Sequence, residues 1–370
     1  MNVLHISAVK NWGGGENHIE NLCLELKRTN PEVSNLILCT HGKKFHERLK
    51  GSGIDHETAS LKVNFDARFV FKIINLCKRR KIDLIHLHDP RAMALAIFAD
   101  KFSSLPPFVF SKKISFPVKK RKQTLYKYNY PKIKKYLCVS NHTKAIMAEA
   151  VLDRKKLTTI YHGTRIDNKS DQTPFLLRKK FGIKDSEVII GNIANHHKAK
   201  KLESFIEVAD HLINQKGHRE FHFVQIGTFT ERTPALEEKV KELRLEQNVH
   251  FLGYTPNASN FLPQFDITLI TSSNEGMPQV IYESFYHKVP VVSTNVAGIP
   301  EIVKDGKNGF LADKFDHIKL SELILHVRNN PEEMKEITER SRKDLLEKYT
   351  TTKMAQNTLA EYKKIVYGIS

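Results

Sequence analysis

Short apolar runs alternate with longer amphipathic stretches along nearly the whole chain, and this alternation constrains the fold more than any other feature. The apolar runs have the length and composition of buried strands. They lie at 3–6, 36–39, 84–88, 108–110 and 136–139 in the first half, and at 188–193, 221–226, 249–252, 267–271 and 289–293 in the second. Strands that alternate with helices predict an α/β protein with parallel sheets covered by helices on both faces.

The chain is long enough for two domains of this kind. Its 370 residues exceed what a single hydrophobic core usually serves, and polar residues with Pro174 interrupt the alternation between 162 and 184. We therefore predict a first domain at 1–165, a linker at 162–184, a second domain at 166–350 and a C-terminal helix at 351–370. Because ligands bind beyond the carboxyl ends of parallel strands, we expect the functional motifs to collect in a cleft between the two domains.

Several classes of protein are disfavoured by composition. The longest apolar run, 93–99, is far shorter than the roughly 20 residues that cross a bilayer, and the N-terminus has no pattern of a secretory signal. The four cysteines form no Cys-x-x-Cys pair, which favours buried thiols in a reducing compartment over a metal site or disulfides. These features predict a cytoplasmic protein.

The net charge of +18 is concentrated in one segment. Between Ser111 and Tyr136 there are ten Lys or Arg residues, no Asp or Glu, and several aromatic residues. Such a segment attracts acidic lipid headgroups, nucleic acid or phosphate-bearing substrates, although a solvated basic face remains an alternative. The candidates for contact with an anionic partner are Lys112, Lys113, Lys119, Lys120, Arg121 and Lys122.

A glycine-rich loop, Trp12-Gly-Gly-Gly-Glu16, follows the first strand and precedes a helix predicted from 17 to 27. Gly14 and Gly15 allow the backbone to approach a ligand, and a helix N-terminus favours an anion. A dinucleotide fingerprint would need glycine where His18 stands, and an acid after the second strand, where Thr40 and His41 stand. A nicotinamide enzyme is therefore disfavoured.

Two histidines end the third of the predicted strands. His86 and His88 alternate, so they project to the same side of the sheet, with Asp89 and Arg91 in the following loop. They could hold zinc, but no third ligand of suitable spacing stands nearby in the sequence. The remaining interpretations are a structural polar pair and a substrate-facing His88.

The second domain repeats the strand, polar loop and helix pattern at 190–201, a loop that contains Asn195 and ends with lysines. Lysines at the carboxyl end of a strand suit a diphosphate, because they donate charge-assisted hydrogen bonds. Lys200 is the main candidate.

The stretch TSSNEGMPQVIYESF, residues 271–285, joins an apolar strand to a helix through two glutamates eight positions apart. Pro278 suits the first helical turn, whose free N–H groups can receive phosphate or sugar oxygens. Gln279 and Glu283 share one helix face. The spacing of Glu275 and Glu283 suits the two ends of a nucleotide sugar, whereas a capping Glu275 and a solvated Glu283 would be the structural alternative.

Together these motifs resemble family 4 of the retaining glycosyltransferases, which have the GT-B fold of two facing Rossmann-like, doubly wound domains with a cleft between them. The Glu-x7-Glu pattern of that family is matched by Glu275 and Glu283. Further matches occur at 251–254, 265–267, 289–293, 298–303 and 306–311. The resemblance covers essentially the whole chain.

The resemblance implies specific roles. Glu275 would bind the donor sugar near the reacting carbon, Lys200 the phosphate, and Glu283 the ribose. In the donor site it places Gly14, Gly15, Asn195, Gly253, Tyr254, Gly276, Met277, Pro278, Gln279 and Val280, with Gly253 and Tyr254 near the base. With Glu275 and Lys200 we name His88 as a catalytic candidate. The first domain would bind the acceptor and the second the nucleotide sugar, and the final helix would cross back onto the first domain.

Two departures from the family pattern stand out. Asn195 occupies the position of an arginine that many members carry, so Lys198, Lys201 or His196 would have to compensate. A histidine that many members place in the first domain is replaced by Ser111-Lys112-Lys113, and Lys113 would contact donor phosphate or an anionic acceptor.

The expected reaction is a metal-independent transfer of a sugar, with retention, from a nucleoside diphosphate sugar, most simply a UDP-sugar, to a hydroxyl of a glycan or lipid-linked acceptor. The chain contains no Asp-x-Asp motif, and we predict no cofactor. The expected setting is bacterial cell-surface glycan synthesis, in lipopolysaccharide, capsule or glycolipid, by a protein peripheral on the inner face of the plasma membrane. We expect an anionic membrane surface as a partner and no nucleic acid. The alternatives are a nucleotide-sugar epimerase and a non-catalytic protein that binds anionic lipid or glycan.

Overall fold

The computed structural model describes residues 1–63, 65–166 and 172–368. Contacts within the chain divide it into two compact units. The first unit is Met1–Arg165 together with Tyr349–Ser370, and the second unit is Ile166–Lys348. Part of the predicted linker, 167–171, lies outside the described residues.

The first unit is built on a parallel sheet of seven strands in the order β3-β2-β1-β4-β5-β6-β7. The strands are β1 (Asn2–Ile6), β2 (Ser34–Thr40), β3 (His56–Ala59), β4 (Leu84–Leu87), β5 (Phe108–Lys112), β6 (Ile133–Cys138) and β7 (Leu157–Thr159). Its helices are α1 (Gly14–Thr29), α2 (Lys44–Leu49), α3 (Ala67–Arg79), α4 (Pro90–Asp100), α5 (Lys122–Tyr128), α6 (Asn141–Ala148) and, at the C-terminus, α14 (Thr351–Tyr367).

The second unit has a parallel sheet of six strands in the order β10-β9-β8-β11-β12-β13. The strands are β8 (Val188–Ile193), β9 (Phe221–Ile226), β10 (Val249–Phe251), β11 (Ile267–Ile270), β12 (Val291–Thr294) and β13 (Phe310–Ala312). The helices are α7 (Leu177–Phe181), α8 (Leu202–Asp210), α9 (Thr233–Glu242), α10 (Gln279–Tyr286), α11 (Ile299–Ile302), α12 (His317–Asn329) and α13 (Pro331–Lys348).

Each sheet is covered on both faces. In the first unit one face packs against α3 and α4, and the other packs against α1 and α14. Met354, Leu359 and Tyr362 of α14 are buried beside Val3 and Leu22, which explains the apolar stripe of the final helix. In the second unit the two faces bury separate clusters, one beneath α8, α9 and α12 and one around Phe261 and Phe265.

The predicted fold class is confirmed, because both sheets are parallel and doubly wound in the Rossmann manner. Three strands were missed by the sequence analysis, β3, β7 and β13, each of only three or four residues. The helix predicted from 17 begins three residues earlier, at Gly14. Within the described residues, no helix is both long enough and apolar enough to span a bilayer.

Candidate functional site

Lys200 and Glu275 form an ion pair at the carboxyl edge of the second unit's sheet. Lys200 Nζ lies 2.5 Å from Glu275 Oε1, and Ser272 Oγ donates to the same oxygen at 2.7 Å. Lys200 ends a turn of 3-10 helix between β8 and α8, whereas Glu275 follows β11. Both side chains remain partly exposed, Lys200 at 29% and Glu275 at 12%. The pair is therefore within reach of a ligand from solvent.

Hydrogen bonds tie the two loops that carry this pair to each other. Thr271 Oγ1 donates to the carbonyl oxygens of Lys200 and Lys201 at 3.1 and 3.0 Å, and the Ser273 N–H donates to the Ala199 carbonyl at 2.8 Å. Lys201 takes a left-handed backbone conformation, with φ of +50°, and thereby turns the chain into α8. The ion pair is thus held by backbone contacts as well as by its own charges.

A close backbone approach fixes the segment between Glu275 and α10. A Cβ atom at Gly298 would lie 1.8 Å from the carbonyl oxygen of Gly276, so only glycine fits there. The Gly298 N–H donates to the Glu275 carbonyl at 3.2 Å. The loop before α11 therefore supports the loop that carries the catalytic candidate Glu275.

Helix α10 begins at Gln279, with Pro278 as the residue before its first turn and no side chain capping it. The N-cap residue of α10 is therefore Pro278 and not Glu275. Met277 and Pro278 are buried, while Gln279, Val280 and Glu283 are partly exposed. Gln279 Nε2 is buried without a hydrogen-bond partner among the described residues. The first turn of α10 thus places backbone N–H groups beside an amide donor that has no partner among the described residues.

The residues expected to replace the missing arginine differ in their surroundings. The Asn195 side chain accepts a hydrogen bond from the Thr228 N–H at 3.0 Å. His196 is buried and bonded to Gln225 and Thr233, and burial lowers its pKa, so it does not supply a positive charge. Lys198 is exposed, and the Lys201 ammonium lies 5.3 Å from the Phe315 ring centroid. Of the three compensating candidates, the two lysines carry the available charge.

Gly253 and Tyr254 follow β10 at the same edge of the sheet. Gly253 has a φ of +71°, and Tyr254 is 73% exposed. Phe229, which the sequence analysis did not single out, is 44% exposed and lies against Gly253. This corner offers flat aromatic surface beside a glycine in the left-handed conformation.

In the first unit, Lys113 is hydrogen-bonded to the glycine loop. The Lys113 ammonium donates to the Gly15 carbonyl at 2.9 Å. Burial lowers the pKa of Lys113 to about 8, opposed by the nearby carboxylates of Glu16 and Asp89. Gly14 and Gly15 form the first turn of α1 rather than a loop before it.

A cluster of buried histidines lies beneath this edge. His86 and His88 project to the same side of β4, as predicted, with ring centroids 4.0 Å apart. His5 of β1 joins them, and the sequence analysis missed it because parallel neighbours lie far apart along the chain. A third possible ligand therefore lies beside this pair in the structure, although none stands near it in the sequence.

Hydrogen bonds define the protonation of this cluster. Asn35 Nδ2 donates to the Val33 carbonyl, which directs its Oδ1 toward His5 Nε2 at 3.1 Å. His5 therefore donates from Nε2 and accepts at Nδ1 from His88 Nε2 at 3.0 Å. His88 Nδ1 is left as a buried lone pair without a partner among the described residues.

The other ring of the pair is engaged on both sides. His86 bonds Tyr362 of α14 at 2.5 Å and Ser111 at 2.7 Å. Burial lowers the pKa of His5 to about 4 and holds the pKa values of His86 and His88 well below the ordinary value. His5, His86 and His88 thus form a neutral hydrogen-bonded network, and within this described trio His88 alone keeps a ring nitrogen without a partner.

Two further histidines adjoin it. The rings of His18 and His162 lie 4.7 Å apart. Burial lowers the pKa of His162 to about 3 and that of His18 well below its ordinary value. Together with His5, His86 and His88 these residues form what we call the histidine cluster.

Asp89 has a structural role at the start of α4. Its side chain caps α4 by accepting from the N–H groups of Arg91 and Ala92, and it also accepts from the Ala8 N–H at 2.7 Å. Arg91 lies in the first turn of α4 rather than in a loop.

The six basic candidates do not act as one set. Lys112 is buried, and its ammonium donates to the Phe116 carbonyl at 2.8 Å, so it does not face a partner in solvent. Lys113 binds the glycine loop. Lys119, Lys120, Arg121 and Lys122 are exposed, and Lys120 lies 3.4 Å from Glu149.

Comparison with known families agrees with this architecture. Residues 12–168 match the family model described as Glycosyltransferase Family 4, and residues 175–344 match the model described as Glycosyl transferases group 1. The chain belongs to glycosyltransferase family 4. The predicted resemblance is thereby confirmed.

Solved structures show the same fold along the whole chain. The glycosyltransferase from Rickettsia africae is 20% identical, with a TM-score of 0.86, and the match covers 100% of this chain and 99% of that one. HepE from Anabaena, solved in complex with UDP and glucose, is 17% identical with a TM-score of 0.84, and the match covers 98% and 100%. These likenesses establish the GT-B fold class.

Relatives with assigned names match over shorter stretches. The N-acetyl-alpha-D-glucosaminyl L-malate synthase of Bacillus anthracis is 27% identical over 60% of this chain and 56% of its own length. The UDP-Gal:alpha-D-GlcNAc-diphosphoundecaprenol alpha-1,3-galactosyltransferase of Escherichia coli is 24% identical over 68% of this chain and 67% of its own. The chain therefore spans little more than half of the synthase.

Proposed function

We propose that the protein is a retaining, metal-independent glycosyltransferase that moves a sugar from a nucleoside diphosphate sugar to an acceptor hydroxyl. The Lys200–Glu275 pair carries this proposal. An ammonium suited to phosphate and a carboxylate suited to sugar hydroxyls stand one hydrogen bond apart, at the edge where parallel sheets bind ligands.

The short separation specifies which part of a donor fits. Groups bound by side chains 2.5 Å apart must themselves be neighbours. In a nucleotide sugar those neighbours are the anomeric carbon with its adjacent hydroxyls and the phosphate that leaves. The pair thus selects the bond to be broken rather than a remote part of the donor.

Surrounding groups suit the rest of the donor. The N–H groups at the start of α10 and the amide of Gln279 favour sugar and phosphate oxygens. Glu283, one turn along the same helix, suits the ribose hydroxyls, and the corner of Gly253, Tyr254 and Phe229 suits the base. We assign UDP as the nucleotide, in keeping with HepE, which was solved with UDP-glucose.

The chemistry follows from this arrangement. The bond between the anomeric carbon and the phosphate oxygen breaks, and Lys200 with the helix N–H groups stabilises the charge that develops on the leaving diphosphate. The acceptor oxygen bonds to the anomeric carbon on the face the diphosphate leaves. Its proton passes to the departing phosphate oxygen, so no metal and no protein nucleophile is required.

The first unit is assigned to the acceptor. Two candidate residues stand at the carboxyl edge of its sheet. One is His88, whose Nδ1 has no partner among the described residues, and the other is Lys113, which donates to the Gly15 carbonyl. The exposed basic residues 119–122 suit an anionic membrane surface on the cytoplasmic side. A relative from Escherichia coli is named for an undecaprenyl diphosphate-linked acceptor, and one from Staphylococcus aureus for capsular polysaccharide biosynthesis. We propose a role in bacterial cell-surface glycan synthesis.

The test is a transfer assay with UDP-sugars and a chelator, in which NMR reports the anomeric configuration of the product. We expect turnover in the presence of the chelator and loss of turnover in Glu275→Ala. We also expect the product to keep the axial anomeric configuration of the donor. Inverted product, or activity that requires a divalent cation, would refute the proposal. Consumption of donor without any acceptor, with a new sugar isomer, would favour an epimerase.

A further inference from the structure

A groove on the first unit lies apart from the ion pair and the histidine cluster. It runs between α4 and α5 and has a volume of about 800 Å³. Its lining includes Arg91, Ala94 and Phe98 of α4 and Lys101 directly after it, which recur at helical spacing along one face. Over the 11 residue-to-residue steps from Pro90 to Lys101 a helix rises roughly 16 Å, which sets the length of the groove. We call it the α4–α5 groove.

The groove has an apolar interior. Ala94 and Ile97 form part of its base, and the rings of Phe65, Phe98 and Tyr126 border it. These three rings are 57%, 38% and 52% exposed, although aromatic side chains of this size are usually buried. Phe65 packs on Phe98 with ring centroids 5.8 Å apart, so the aromatic surface is continuous there. A contiguous exposed apolar surface of this kind marks a binding site.

The rim of the groove is cationic. Arg91, Lys101, Lys122 and Lys127 line it, and no lining residue is acidic. Among the described residues, no carboxylate forms an ion pair with Lys101, Lys122 or Lys127. The nearest acid along α4, Asp100, is turned away, bonded to Tyr130 and to the Leu105 N–H. An occupant with an apolar body and a negatively charged end would match both surfaces.

The position of the groove relative to the sheet gives the occupant a direction. Pro90 and Arg91 line one end, and they follow His88 and Asp89 at the carboxyl end of β4. The other end reaches Lys101, beyond the body of α4. An apolar chain lying in the groove would therefore have one end near the edge assigned to the acceptor.

We propose that the α4–α5 groove binds the lipid of a phosphate-bearing, lipid-linked acceptor, with its hydrocarbon chain along α4 and its phosphates against the basic rim. The proposal rests on the proposed glycosyl transfer and names the class of acceptor for it. The concave shape and a volume in the range of small-molecule sites favour one lipid molecule over a flat bilayer surface.

The test measures binding of farnesyl diphosphate, inorganic diphosphate and phosphatidylglycerol vesicles to the full chain by calorimetry. Wild-type protein should bind farnesyl diphosphate at least about tenfold more tightly than inorganic diphosphate, because the chain adds apolar contact. Ala94→Trp, which fills the partly exposed base of the groove, should weaken farnesyl diphosphate binding by about tenfold or more. Ala235→Trp, on an exposed face of α9, is the matched control and should not.

Charge is tested separately. The triple variant Lys101→Gln, Lys122→Gln, Lys127→Gln should also lose about tenfold or more of farnesyl diphosphate binding. A variant of equal net charge, Lys43→Gln, Lys44→Gln, Lys78→Gln, alters exposed lysines elsewhere on the first unit and should bind normally.

Two results would overturn the proposal. One is equal affinity for farnesyl diphosphate and inorganic diphosphate, or full binding by Ala94→Trp. The other is that the protein binds vesicles or single-stranded RNA but does not bind farnesyl diphosphate. Titration with UDP on the same samples distinguishes failure of the groove proposal from failure of the proposed function, because UDP binding reports the second unit's site alone.

Discussion

The two units present the same kind of sheet edge with opposite electrostatics. At the edge of the second unit, Lys200 and Glu275 are both charged, paired and reachable from solvent. At the edge of the first, the histidine cluster is buried, and burial keeps its imidazoles neutral. Buried charges are costly unless paired, whereas neutral imidazoles can satisfy one another. One fold thus carries a charged pair, proposed for the nucleotide diphosphate, and a neutral histidine cluster, proposed to lie on the acceptor side.

The largest effect expected from this difference is on stability at acid pH. Unfolded histidines with pKa values near 6.5 bind protons that the histidine cluster excludes, so the free energy of unfolding of the first unit falls as pH drops below 6.5. Between pH 6.5 and 5 each such imidazole contributes about 2 kcal/mol. Trp12, the single tryptophan, lies in the first unit and reports its unfolding by fluorescence in denaturant.

The histidine cluster can be tested residue by residue. His162→Gln should lessen the loss between pH 6.5 and 5 by about 2 kcal/mol, while His41→Gln on an exposed loop serves as the control. A first unit that is equally stable at pH 7 and pH 5 would contradict the neutral network.

The next effect concerns the charged edge. Glu275→Ala should lower kcat by about a hundredfold or more, on the scale of losing one partner of the transition state. Glu246→Ala, an exposed carboxylate elsewhere on the second unit, is the control. Steady-state kinetics with saturating donor makes the measurement, and near-native kcat in Glu275→Ala would remove the basis of the assigned role.

A smaller effect is expected from removing the hydrogen bond between Lys113 and the glycine loop. Lys113→Met leaves the Gly15 carbonyl without its donor and should lower the free energy of unfolding of the first unit by about 2 kcal/mol. Trp12 fluorescence in denaturant again provides the measurement, and Lys119→Met, at an exposed position, should have no effect. Equal stability of the two variants would show that Lys113 does not hold the loop.

The smallest expected effect is on donor affinity. Glu283→Ala would remove the proposed ribose contact, which is the same in the ground state and the transition state, so KM for the donor should rise by about tenfold with kcat nearly unchanged. A fall in kcat equal to that of Glu275→Ala would place Glu283 in the reacting centre instead. The contrast between the two glutamates sharpens the assignment of the charged edge.

Most of the fold could be predicted because strands such as Val188–Ile193 and Phe221–Ile226 are long apolar runs between helical stretches. The short strands His56–Ala59 and Leu157–Thr159 lack such a run and are defined by pairing to a neighbour, which the sequence does not display.

The residues of the site also differ in whether the sequence could predict that they lie together. Glu275 and Glu283 belong to one local motif, so their spacing could be read directly. His5, His18 and His162 come together only through the order of strands and helices, and nothing near them in the chain signals it. Lys112 and Lys113 are adjacent in sequence, yet one is bonded to its own loop and the other to the glycine loop. The composition showed that the segment is basic, but it could not show that the side chains of Lys112 and Lys113 bind different parts of the chain.

The most direct test of the account is a calorimetric titration of UDP and UDP-sugars with and without a chelator, on wild-type protein and on Lys200→Met. A metal-free diphosphate site predicts binding that survives the chelator and is weakened by about tenfold or more in the variant, because Lys200 would donate a charge-assisted hydrogen bond to phosphate. Binding abolished by the chelator, or unchanged in Lys200→Met, would contradict a metal-free diphosphate site at the Lys200–Glu275 pair.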